Sequence, residues 1–250
     1  MVKCPVLLKF FPGNNRKMSR IIAVLPAYNE EGRVGLAVNS LKETGTINQI
    51  YVISDGSTDN TAEEARRAGA LVYEIRRNLG KGRALREFFN KSNFLNKARA
   101  NDVLLLVDAD TARTAREAAT LAAELMEKGE GYFVVAVFPP PRRKGGFGLV
   151  KNLARWFIKR TTGVRLKAPL SGQRALFLSD LKNVLSAFEY GYGLEVAMNY
   201  LLIKNGLKPV EVELQMIHRE TGRNLRDFLH RGRQFIDVLR VIRDAYFGRL

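Results

Sequence analysis

Leu104-Leu105-Leu106-Val107-Asp108-Ala109-Asp110 is an unbroken apolar run closed by two carboxylates one residue apart. The run has the length and composition of a strand buried on both faces, which belongs in a parallel sheet covered by helices. Two acids just past the end of such a strand have one chief chemical use: they can hold a hard divalent cation, which can then grip the oxygens of a diphosphate. A second reading stands beside it. Asp110-Thr111 could cap a helix through the Ala-rich stretch 112–123, because Asp and Thr accept from the free amides of a first helical turn.

Outward from this run, strand and helix alternate. Strands are expected at 21–25, 50–54, 71–75, 103–107 and 132–138, with helices near 31–42 and 61–68 and another opened by Asn78-Leu79-Gly80-Lys81-Gly82. This is the pattern of a doubly wound, mostly parallel α/β sheet, in which ligands bind beyond the carboxyl ends of the strands. Four unusual loops fall there: Pro26 to Glu30, Asp55 to Asp59, Gly80 to Gly82 and Asp108 to Asp110. After residue 138 comes Pro139-Pro140-Pro141-Arg142-Arg143-Lys144-Gly145-Gly146, a stiff piece then a flexible basic one, suited to a linker or a lid. A basic helix at 149–161, a short strand at 175–178, a helix at 194–205 and an alternating edge strand at 210–216 follow. The tail, 225–247, reads as an amphipathic helix with Leu225, Phe228, Leu229, Phe235, Leu239, Ile242 and Tyr246 near one face.

The chain of 250 residues, 46% hydrophobic, suffices for one substantial core. Its single cysteine, Cys4, excludes a disulfide framework or thiolate cluster and fits a reducing cytoplasm. No window approaches the roughly 18 apolar residues of a spanning helix, so no integral membrane protein is expected. The net charge of +16 implies attraction to anions. From Pro141 to Ser179 there are basic residues but no acid, and Arg219, Arg223, Arg226, Arg231, Arg233, Arg240, Arg243 and Arg249 follow. Nucleic acid, an anionic membrane surface, a phosphorylated small molecule, or simply a solvated face could account for it.

With these motifs in order, residues 20–223 resemble glycosyltransferase family 2, the nucleotide-sugar transferases of GT-A fold. Pro26-Ala27-Tyr28-Asn29-Glu30, Asp55-Gly56-Ser57-Thr58-Asp59, Gly80-Lys81-Gly82 and Asp108-Ala109-Asp110 carry the likeness. The resemblance implies a mostly parallel Rossmann-like sheet flanked by helices, to which the residue pattern adds a basic C-terminal helical extension. Together they divide the chain into an arm or a mis-assigned start at 1–18, a nucleotide-sugar-binding half at 19–138, an acceptor-binding half at 139–222 and an amphipathic helix at 223–250. Pro26, Ala27, Tyr28 and Glu30 would border the nucleoside, Asp55 would accept from the base, and Lys81 would lie near the diphosphate. Asp110 and Asp108 would hold Mg²⁺ or Mn²⁺ against it.

In the second half, Ser171-Gly172-Gln173-Arg174 and Glu195 resemble acceptor-side elements of dolichyl-phosphate mannosyltransferase-like enzymes. Tyr190-Gly191-Tyr192-Gly193-Leu194-Glu195 with His218-Arg219 is similar to glucosyl-3-phosphoglycerate synthase, in which the matching histidine is a metal ligand. Ser171, Gly172, Gln173, Arg174, Arg219 and Arg223 would then contact the acceptor, His218 the metal, and Glu195 the acceptor or sugar hydroxyls, with Asp110 as the other catalytic residue. The expected reaction moves a hexose from UDP-glucose or GDP-mannose to a phosphate-bearing acceptor, polyprenyl phosphate or phosphoglycerate, in a cytoplasmic protein that could sit at the inner membrane face. A phosphate oxygen is already an anion, so it needs no general base; Glu195 would serve as the base if the acceptor were an alcohol. A homodimer is one way to cover the tail helix. The alternative is a non-catalytic basic module for membrane or nucleic acid, although no base-stacking motif is visible. A haloacid-dehalogenase-type phosphatase lacks its further acidic pair here, and Gly80-Lys81-Gly82 is not a Walker loop.

Overall fold

The computed structural model describes residues 19–139, 148–216 and 225–250, the last with side chains from 232 onward. The expectations for 1–18, for 140–147 within the Pro-rich stretch, and for His218, Arg219 and Arg223 lie outside the described residues. In chain order the elements are β1 (Ile21–Ala27), α1 (Val34–Lys42), β2 (Gln49–Asp55), α2 (Thr61–Arg67), β3 (Leu71–Ile75), α3 (Lys81–Lys91), α4 (Phe94–Lys97) and β4 (Val103–Leu106). A 3₁₀ segment (Ala109–Ala118), α5 (Ala119–Lys128), β5 (Tyr132–Val137), α6 (Leu149–Thr162) and β6 (Arg174–Phe177) come next. Two more 3₁₀ segments (Leu178–Glu189 and Gly191–Gly193), α7 (Leu194–Lys204), β7 (Lys208–Glu213) and α8 (Leu225–Tyr246) complete the fold.

The strands form one sheet of order β3-β2-β1-β4-β6-β5-β7. Successive residues of β1 serve opposite layers, as the period-2 geometry of a strand requires. Ile22 and Val24 join Leu104, Leu106, Phe88 and Phe157 on one face, whereas Ile21, Ala23 and Leu25 join Val103, Leu105, Val38 and Leu121 on the other. Helices α3, α6, α7 and α8 cover the first face, α1 and α5 the second. On the first, Tyr51, Phe88 and Phe94 pack tilted and edge-to-face at centroid distances of 5.2–5.3 Å, tying α3 and α4 to β2.

β6 decides where the second half of the chain meets the first. It comes from beyond the Pro-rich stretch, lies between β4 and β5, and runs antiparallel to both. Leu106 at the end of β4 pairs with Arg174 at the start of β6, so residues 171–173 arrive at the carboxyl end of β4. β7 pairs parallel to β5 at the sheet edge, as its alternation predicts, and ends at Glu213 opposite Val137.

Two sequence expectations change. The α-helix after Asp110 begins only at Ala119, because the chain breaks at Ala112 with φ 46°, so Asp110 does not cap it. In α8 the docked side is Val238 and Val241, fully buried, with Ile242 and Ala245 beside them. Phe235, Leu239 and Tyr246, expected on the packed face, are 39%, 42% and 58% exposed. Among the described side chains of the helix and the residues after it, 232–250, apolar residues lie along more than one stripe, and the stripe of Val238 and Val241 is the buried one. Among the described residues no helix is long and apolar enough to cross a membrane.

Candidate active site

The strand order reverses about β1 and β4, so a crevice opens beyond their carboxyl ends. Its first wall joins the loops after β1 and β2. Asn29 Oδ1 accepts from the Thr58 amide (2.9 Å), the Glu30 amide donates to Thr61 Oγ1 (2.8 Å), and Asp59 Oδ1 accepts from the Thr61 amide (3.0 Å). Glu64 of α2 accepts from the Gly32 and Gly35 amides at the start of α1 (2.5 and 3.1 Å). Turn and cap chemistry thus explains Asp59 fully. Pro26 is part-buried and Ala27 buried beneath this wall, Glu30 pairs with Arg33 (2.8 Å), and Tyr28 stands 48% exposed at the rim.

Asp55, buried at the end of β2, accepts from the amides of Leu79 and Gly80, both at 2.8 Å. Burial pushes its carboxyl above the ordinary range, and those two amides oppose the shift. Gly56 has φ 68°, and a Cβ there would stand 2.3 Å from the Asn78 amide nitrogen, so only glycine lets the two loops close on each other. Asp55 therefore holds the loop that delivers Lys81.

At the centre, Lys81 Nζ donates to Asp108 Oδ1 (2.7 Å) and to Glu195 Oε1 (3.0 Å). Lys81 opens α3 and Glu195 lies in the first turn of α7; Gly82 permits the meeting, since a Cβ on it would stand 2.6 Å from the Phe188 carbonyl oxygen. Burial by itself pulls the Lys81 pKa down, but the two carboxylates outweigh it and hold the ammonium well above its usual value. Gln173 fixes Asp108 from below: its Oε1 accepts from the Asp108 amide (2.8 Å) and its Nε2 donates to Asp108 Oδ2 (2.9 Å). A Cβ on Gly172 would meet Lys81 Nζ at 2.5 Å and Asp108 Oδ2 at 2.6 Å, so the absent side chain makes room for the Lys81–Asp108 pair.

Arg174 is buried under the cluster. Its guanidinium donates to the Ser171 carbonyl (2.6 Å) and to Asn199 Oδ1 (3.3 Å), and Asn199 in turn donates to the Pro169 carbonyl (2.9 Å). Burial lowers the Arg174 pKa, while Glu195 and Asp108 oppose the change. Arg174 thus shapes the 169–171 loop from within. Ser171 Oγ, at the top of that loop, is buried with no hydrogen-bond partner among the described residues.

Asp110 lies two residues past Asp108, within electrostatic reach of Arg33. The strand-to-3₁₀ passage is anchored by Thr111 Oγ1 donating to the Asp108 carbonyl (2.7 Å), and by Ser40 Oγ, which donates to the Arg113 carbonyl (2.7 Å) and accepts from the Arg116 amide (3.1 Å). Asp108 and Asp110 are hard oxygen donors, and an ammonium already sits as a cation between Asp108 and Glu195; this chemistry suits Mg²⁺ or Mn²⁺ shared with substrate phosphates. Among the described residues no third acidic, thiol or imidazole ligand gathers with them. The structure thus brings together Asp108, Lys81, Gly172, Gln173, Arg174 and Glu195, with Asp55 one loop away. Sequence reasoning missed Ser40 and Asn199. The signal for Asn199 was present: it is the sole polar side chain in the run Val196 to Ile203 apart from Tyr200.

Among known proteins, the family model described as "Glycosyl transferase family 2" matches residues 22–174. The chain is similar to protein MJ1222 of Methanocaldococcus jannaschii, 26% identical over 213 residues that cover 83% of this chain and 85% of that one. It is 28% identical over 207 residues to "Glycosyltransferase AglJ" of Haloferax volcanii, covering 81% and 64% of the two chains. Its fold is shared with the glucosyl-3-phosphoglycerate synthase of Mycobacterium tuberculosis, crystallised with Mg²⁺ and uridine diphosphate. The TM-score is 0.68 at 22% identity, over 90% of this chain and 78% of that one.

Proposed function

The chain belongs to glycosyltransferase family 2, and from that premise we propose that it transfers a hexose from a UDP-glucose- or GDP-mannose-type donor to a phosphate-bearing acceptor. One observation carries the reading: Lys81, from the donor half, is bonded at once to Asp108 at the end of β4 and to Glu195 at the start of α7. Donor-side and acceptor-side groups thereby share one cluster, which argues against a non-catalytic basic module.

Asp108 and Asp110, with His218, would hold Mg²⁺ or Mn²⁺; when bound, that cation stabilises negative charge on the departing nucleotide. His218 follows β7, whose carboxyl end lies at the same end of the sheet as Asp108. Pro26, Ala27, Tyr28, Glu30 and Asp55 border the nucleoside. Lys81, paired with Asp108 and Glu195, adds a positive charge where the diphosphate leaves. Gln173 holds Asp108 in one rotamer. Ser171, Gly172 and the buried Arg174 shape the acceptor loop, with Arg219 and Arg223 as further cations for its phosphate. Glu195 orients the acceptor or the sugar hydroxyls. An acceptor that attacks through a phosphate oxygen is already an anion and gives up no proton, whereas one that attacks through a hydroxyl passes its proton to Glu195 as the anomeric bond to the nucleoside diphosphate breaks.

A thermal-shift panel of UDP-glucose, GDP-mannose and related nucleotides, with and without Mn²⁺, tests this, because a ligand of the native state raises the apparent stability. One nucleotide should stabilise the protein only with metal, and Asp110→Ala should lose both that shift and transfer. Full turnover by Asp110→Ala with metal bound overturns the assignment.

A further inference from the structure

Among the described residues, the basic C-terminal helix holds the turn at 190–193 that leads to Glu195, and the proposed reaction leaves its Asp237 and Asp244 without a task. We infer that Asp237 of α8 is a positioning residue for Glu195, so that docking of the C-terminal helix sets the geometry of the acceptor side. This rests on the role given to Glu195 above.

Asp237 Oδ2 accepts from the Tyr192 amide at 3.0 Å. The turn fits against α8 only because it is glycine-rich. A Cβ on Gly193 would stand 2.8 Å from both the Asp237 carbonyl oxygen and Val241 Cγ2, and one on Gly191, whose φ is 53°, would stand 2.6 Å from Asp237 Oδ2. A second clamp lies two helical turns on, where Asp244 Oδ2 accepts from the Tyr190 hydroxyl at 3.1 Å. Val238 and Val241 are fully buried between these anchors. Asp237 and Asp244 thus mark the docked side of a helix whose other charges are mainly arginine.

The held turn runs without a break into α7. Glu195 follows Tyr192 by three residues and is 12% exposed with its carboxylate on Lys81. A helical first turn is stiff, so a shift of the Tyr192 amide moves the Glu195 carboxylate with it. Misplacing a reacting group by about 1 Å from a distance can cost on the order of 10²-fold in rate.

The full chain is assayed as Asp237→Ala, Asp237→Asn, Glu195→Gln and the Asp237→Ala/Glu195→Gln pair, with the donor chosen by the nucleotide panel and 3-phosphoglycerate as acceptor probe. Asp237→Ala should lower kcat by about tenfold to a hundredfold, leaving the donor KM and the Mn²⁺-dependent nucleotide shift unchanged. Asp237→Asn should keep most of the rate, because its amide oxygen still accepts from Tyr192. The pair should be no slower than Glu195→Gln alone, since one residue acts through the other. Hydrogen exchange, which needs no substrate, should speed up in Asp237→Ala at 191–195 while β1 and β4 stay protected. Unchanged exchange there, wild-type kcat beside an inactive Glu195→Gln, or additive losses in the pair would each overturn the inference. Wild-type kcat in Glu195→Gln would instead overturn the role of Glu195, and the inference with it.

Discussion

The two ends of β1 and β4 carry ionic clusters of opposite character. At the amino ends, Asp102 is wholly buried and accepts from Arg20 Nε, an Arg20 terminal nitrogen and the Arg20 and Arg99 amides at 2.5–3.1 Å. At the carboxyl ends, one ammonium is divided between two carboxylates, and the side chains of Lys81 and Asp108 remain 31% and 29% exposed. The lower cluster is closed: its donors surround one carboxylate, and nothing remains for a ligand. The upper cluster is open, so a diphosphate or a cation can exchange for an internal partner without dragging a charge out of a dry core. A buried carboxylate satisfied on all sides serves the fold, while a shared, partly exposed cluster has the openness that the proposed chemistry requires.

The contrast can be broken by substitution. Lys81→Ala should give the largest effect, a loss of about 10³-fold in kcat as for removal of one preorganised positive donor, with a melting temperature near that of the parent. A matching collapse of stability would mean that the upper cluster is structural after all. Asp102→Ala should do the reverse, costing about 3 kcal/mol in urea unfolding and leaving kcat of the remaining folded protein unchanged.

The lower cluster also has a pH signature. Burial alone would raise the Asp102 carboxyl, but the Arg20 side chain and the Arg99 and Arg20 amides outweigh it and hold the pKa below the usual range. Its contribution is therefore complete above the unfolded-state value of about 3.9 and is lost as pH falls through the folded value. Acid unfolding below about pH 4 should be steeper in the parent than in Asp102→Asn. The smallest effect sharpens the upper side: Gly172→Ala should slow transfer about tenfold, since its methyl must displace Lys81 or Asp108, with little change in stability. A parent-like rate would show that the ammonium moves aside freely.

How much of this was legible from sequence follows from range. β1 to β5 could be read because each is an apolar run between turn residues, and Asp55, Lys81 and Asp108 because each ends such a run or opens a helix. The antiparallel direction of β6 could not, since a four-residue strand carries no record of its neighbours. Gln173 was expected to face the acceptor; its bonds to Asp108 depend on that strand direction. In α8 the periodic pattern offers more than one apolar stripe, and among the described residues that of Val238 and Val241 is the buried one. Only the glycines at 191 and 193, waiting for a close neighbour, hinted that Val238 and Val241 are the stripe that docks. His218, Arg219 and Arg223 keep their roles as proposals.

The late arrival of β6 also has a consequence for biogenesis. Gln173 follows Asp108 by 65 residues, and Glu195 follows Lys81 by 114. On the ribosome, β1 to β4 emerge well before their missing neighbour, leaving β4 as a bare apolar edge that invites pairing with another chain. Such a chain assembles its reactive centre last, and a fragment stopped at residue 138 should be lost to aggregation rather than survive as a nucleotide-binding half.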